Sequence, residues 1–139
     1  MSLPTEWIAC GKHRMRSEGS LLWVQFIGDI SMDEFRQICA EGDRLIALYG
    51  GIYMLADVEQ AATMPPEIRR AVVGWIRQGK VRGVANIKAN MTLRGLSILL
   101  VTAVRVLSGV PGEVTFVASE DEARAWVAEL ERKRLAHAR

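Results

Sequence analysis

Two cysteines and two histidines in 139 residues leave little material for metal or redox chemistry. Cys10 and Cys39 make no CxxC pair and are too few for a disulfide framework, which suits a reducing compartment. His13 and His137 stand near opposite ends of the chain, with no acids or nucleophile at ligand or triad spacing, so no metal, cofactor or catalytic residue is expected. There is no GxSxG elbow, no Walker loop and no GxGxxG, and the motif-bearing hydrolases and nucleotide binders drop out. Long apolar runs are missing too: the one long apolar helix candidate, near residues 91–108, is broken by Arg94 and Arg105, and the opening MSLPTEWIACGKHRMR has no apolar signal core. The expectation is a cytoplasmic, non-enzymatic protein without a membrane span.

What is present is apolar material, half of all residues, enough for one sizeable core but not for two ordinary domains. The whole chain, residues 1–139, is therefore read as one domain. Its net charge of +2 hides an asymmetry. Residues 1–67 hold five Lys/Arg against ten Asp/Glu, residues 68–112 hold eight against none, and residues 113–139 hold five against six.

The periodicity predicts an alternation of strands and helices. WIACGKHRMR sets Lys12, Arg14 and Arg16 on one side of a strand and His13 and Met15 on the other, and SEGS turns it into LLWVQFIG as a hairpin. The basic side marks the first of these strands as a sheet edge, since charge there discourages pairing with other chains. SMDE, from Ser31 to Glu34, has the form of a capping box, and the helical spacing that follows ends at Gly50-Gly51. IYMLAD is nearly continuous apolar, as a strand covered on both faces should be. PPEIRRAVVGWIRQ follows as a helix, GVANIK as a strand, MTLRGLSILLVTAVRVLS as a helix and EVTFVA as a strand. A last helix opens at a second capping box, Ser119 to Glu122. The order ββαβαβαβα predicts an α/β domain: a mostly parallel, mixed five-stranded sheet flanked by four helices.

That order of elements, together with IYMLADVEQAATMPPEIRR, resembles the STAS superfamily of anti-sigma-factor-antagonist-like domains, and most of all its divergent SpoIIAA-like branch. The likeness spans roughly residues 9–132. In signalling members the third strand ends in Asp, and a loop then presents an Asp-Ser pair at a helix start, where the Ser is phosphorylated to control partner binding. Setting Asp57 against that strand-end Asp puts Pro65 and Pro66 where the pair would stand, and neither carries a hydroxyl. Thr63 remains as a modifiable hydroxyl or, more ordinarily, a local cap. The resemblance implies a protein-interaction or regulatory module whose partner surface involves Asp57, Thr63, Glu67, Arg69 and Arg70. The branch also shares its fold with lipid-binding domains of the CRAL-TRIO type, which implies as the alternative a small-ligand or lipid binder with an apolar cavity beneath the second and third helices.

Three surfaces compete for a role. Open parallel sheets bind ligands beyond the carboxyl ends of their strands, and Lys88, Asn90 and Arg94 gather there beside a helix start as a candidate anion site. The bland reading is a capped helix and a solvated lysine. Arg69, Arg70, Arg77, Lys80 and Arg82 form a basic block that suits an acidic protein or an anionic membrane surface, although a solvated helix face explains it as well. Nucleic acid is not expected, because only Trp75 lies among these bases and it falls on the buried stripe. In the expected helix at 91–108, Ile98 and Val101 fall within the polar stripe that includes Arg105. That placement points to a homodimer face, to be tested by Ile98→Arg and sedimentation.

Overall fold

In the computed structural model the described residues are 6–62, 64–78, 80–89 and 113–137. Six strands among them form one sheet in chain order: β1 (Ile8–Cys10), β2 (His13–Glu18), β3 (Leu21–Gly28), β4 (Ile52–Ala61), β5 (Val81–Ile87) and β6 (Glu113–Val117). β1, β2 and β3 pair antiparallel, whereas β3 to β6 run parallel. Helices α1 (Met32–Tyr49), α2 (Pro66–Ile76) and α3 (Glu120–His137) complete the described architecture. The α/β class and the mixed, mostly parallel sheet are as expected.

The strand count is corrected from five to six. WIACGKHRMR is two strands rather than one, because Gly11 adopts φ +62° and folds the chain back after Cys10. The expected edge strand is consequently β2, an interior strand, and the three-residue β1 takes the edge. Alternation along β2 holds: His13, Met15 and Ser17 are buried while Arg14 is exposed. Three helices rather than four fall in the described residues. The one expected at 91–108 lies outside them, and with it Ile98, Val101 and Arg105 of the candidate dimer face.

α1 is built as its ends require. The Ser31 hydroxyl accepts from the Glu34 amide at 3.1 Å and the Glu34 carboxylate accepts from the Ser31 amide at 2.9 Å, while Gly50 closes the helix at φ +80°. At α3 the box is offset. Ser119 accepts from the Glu122 amide at 3.2 Å, but the Glu122 carboxylate reaches the amide of Ala118, not that of Ser119.

α1 and α2 cover one face of the sheet over Leu22, Val24, Ile52 and Met54, and α3 covers the other over Trp23, Leu55 and Ala85. Ile52, Tyr53, Met54, Leu55 and Ala56 are all buried, so β4 is indeed covered on both sides. The two helices on the first face meet closely at Gly42: a β-carbon there would come within 2.6 Å of the Trp75 ring. The Asp43 carboxylate, one residue on, accepts the Trp75 indole N–H at 2.9 Å.

Candidate functional site

Below this helix pair the described residues leave the sheet incompletely filled. A cavity of about 160 Å³ opens on the α1/α2 face towards the carboxyl ends of the parallel strands. Met54 and Ala56 of β4, Val84 and Asn86 of β5 and Val114 of β6 form its floor. Phe35 and Ile38 wall it from α1, Val72, Trp75 and Ile76 from α2. It is also lined by Gly28 and Ile30 at the end of β3 and by Ala61, Ala62 and Met64 at the end of β4, two strand ends tied by a 3.0 Å bond from the Ala62 amide to the Gly28 carbonyl. Phe26 reaches the cavity where the β3–β4 register shifts between Gln25 and Ile27. Apolar cavities of this kind stay dry or take apolar guests, since water needs two to four polar partners.

The expected partner residues do not form one patch. Asp57 lies inside β4, which runs on to Ala61, and it pairs in register with Gln25 and Ile87. By alternation its side chain shares the face of Leu55, the α3 side, and its carboxylate accepts from the Glu59 amide at 3.2 Å. Glu67, Arg69 and Arg70 are together on the first turns of α2, across the sheet from it, with Glu67 and Arg70 exposed and Arg69 half-buried. Thr63 lies outside the described residues. The α2 cap is Pro65 in an extended conformation, with no side-chain hydrogen bond at that end.

At the candidate anion site the Lys88 ammonium is already paired, 3.2 Å from the Glu59 carboxylate, with both groups about half exposed. Asn90 and Arg94 lie outside the described residues. The basic block is also redistributed: Arg82 belongs to β5 rather than to the helix turn, and it donates to the Tyr49 carbonyl at 3.4 Å. Arg70, Arg77 and Lys80 remain exposed.

Two clusters escaped the sequence reading. His13, expected on an edge, is fully buried: Nδ1 accepts from the Ile27 amide at 2.9 Å, and Nε2 lies 3.4 Å from Glu34 Oε1 without hydrogen-bond alignment. The Ser31 backbone amide, more than His13, holds the Glu34 carboxyl below its usual range. On the opposite face Arg14 and Arg16 lie over the Trp7 ring at 4.2 and 4.6 Å, and Trp7 meets Trp23 edge-on. Arg124 of α3 makes a two-point bond to Glu18 at 2.7 and 2.9 Å and a third to Glu120. The Arg124 bonds join elements far apart in sequence, and the local signal at His13 was the alternation of charge along β2.

Among the described residues no helix is long and apolar enough to cross a membrane. The family model described as SpoIIAA-like matches residues 21–128. Among solved structures, an uncharacterized protein of the DUF3478 family with a SpoIIAA-like fold, from Shewanella loihica PV-4, superposes with a TM-score of 0.57 at 15% identity. The match covers 91% of this chain and 94% of that one. No curated protein matches.

Proposed function

Because the chain belongs to the SpoIIAA-like family and carries an apolar cavity at the carboxyl ends of its parallel strands, we propose that it is a non-catalytic binding module for a small apolar molecule. The observation that carries this reading is the composition of the cavity: among its described lining residues Asn86 alone has a polar side chain other than the Trp75 indole, whose N–H is engaged by Asp43. Size narrows the ligand. An engineered cavity of about 150 Å³ takes up benzene, whereas sites for drug-sized molecules run to about 300–1,000 Å³. At about 160 Å³ the cavity fits one ring or a short alkyl segment, and a whole lipid chain would need α2 to move away from the sheet.

Interaction with a protein partner draws on the same place. Glu67 and Arg70 are exposed beside the cavity-lining segment that contains Met64, so the occupant of the cavity sets the position of the surface a partner meets. The bound and empty forms then differ in α2, and the serine phosphoswitch of related domains is replaced by occupancy.

Titration of methyl-labelled protein with benzene tests the reading. The Met54 and Met64 methyl resonances should move together and saturate, while methyls on the α3 side stay in place. Unmoved Met54 and Met64 signals at saturating benzene would remove the cavity as a site.

A further inference from the structure

Asn86 is out of place by every local rule. Asparagine is depleted in strands, yet Asn86 lies near the end of β5, an interior strand, between Ala56 and Phe116 in register. Its side chain is buried, with 7% of the residue exposed, and it lines the floor of a cavity whose other described lining side chains are apolar apart from the Trp75 indole. Its amide nitrogen reaches the Thr115 carbonyl only at 3.5 Å, the outer limit of a hydrogen bond. A buried amide held this weakly costs stability that an apolar residue of the same size would not. Positions where a chain departs from local rules without a structural return are expected at functional sites.

We propose that Asn86 is the specificity-determining contact of the cavity, so that its ligand is an uncharged, ring-sized molecule carrying one hydrogen-bonding group. This rests on the reading of the cavity as a binding site. A primary amide both donates and accepts, so a hydroxyl, a carbonyl or a ring nitrogen on the ligand can be served from the floor. A carboxylate cannot be served in the same way. No described lining residue is charged, and an ion carried into the cavity would lose its hydration without gaining a counter-ion. The apolar remainder of the ligand lies against Met54, Val84 and Trp75, and the polar group fixes its orientation.

Benzene and phenol, which differ by one hydroxyl, separate the two claims. Both should shift the Met54 methyl in labelled protein, and phenol should move the side-chain amide pair of Asn86 further downfield than benzene does, as a new hydrogen bond requires. Asn86→Leu should lower the affinity of phenol relative to that of benzene about tenfold, the scale of one neutral hydrogen bond. If Asn86→Leu does not fold, Asn86→Ser and the wild-type amide shift carry the test. An Asn86 amide that phenol moves no further than benzene does, or a phenol-to-benzene ratio that survives the substitution, overturns the proposal and leaves the cavity as a site without polar selection. No response to either probe overturns both.

Discussion

Ala56 is the smallest side chain in the cavity floor, and it supplies the sharpest mutational test. In a filled core, Ala56→Leu would overpack and cost about 1–3 kcal/mol. Over an empty cavity the three added carbons occupy space already there, so the variant should be as stable as wild type or gain up to about 2 kcal/mol, read as a higher urea midpoint. Benzene binding should be lost at the same time. The thiols give a second check: burial raises Cys39 to about 12 and pushes Cys10 up as well. Both should resist alkylation at pH 8 in the folded protein and react after denaturation, read by intact mass. A third test is acid stability. The hydrogen bond from Arg134, followed by that from Tyr53, holds the Glu131 carboxyl at about 2, below its ordinary 4.5. A depressed carboxyl contributes stability above its unfolded value, and that contribution is lost as pH falls from about 4.5 towards 2. Glu131→Gln should flatten the stability curve over that interval; parallel curves would contradict the assignment.

Between elements the decisive contact is α1 against α2. Gly42→Ala would drive a methyl into the Trp75 ring, and because Trp75 also walls the cavity, two losses should appear together. Stability should fall by about 1–3 kcal/mol and benzene affinity should fall with it. This contact also shows what the sequence could and could not disclose. α1 was legible from end to end, because a capping box and a left-handed glycine are local devices that work wherever the helix sits. Trp75 was legible as part of the buried face of α2, but nothing local distinguished Ile68, which is buried in full, from Val72 and Ile76, which line the cavity. A void is what the described helices and sheet leave between them, and no single segment encodes it. The split of β1 from β2 was legible in principle, since Gly11-Lys12 is a turn-forming pair inside an alternating run. Asn86 was visible too, as a polar residue inside the otherwise apolar GVANI.

For the molecule as a whole, two faces of one sheet carry different tasks. The α3 face is tied by charged and aromatic contacts, Arg124 to Glu18 and Glu120, Trp23 to Glu120, and Tyr53 to Glu131. The α1/α2 face is apolar and loosely filled at one end. A rigid side supporting a cavity-bearing side suits a domain that takes up a guest and adjusts one helix around it. The resemblance to phosphoswitch domains conveyed the fold correctly while its marker residues did not carry over: Asp57 lies within β4 and faces away from α2, and prolines hold the helix entrance. The most direct measurement is a crystal structure of the protein pressurised with xenon, a monatomic guest for dry apolar cavities. The account predicts xenon density between Ala56, Val84 and Trp75, with the α3 face unchanged. A cavity region without xenon, collapsed or filled by ordered water, would contradict it.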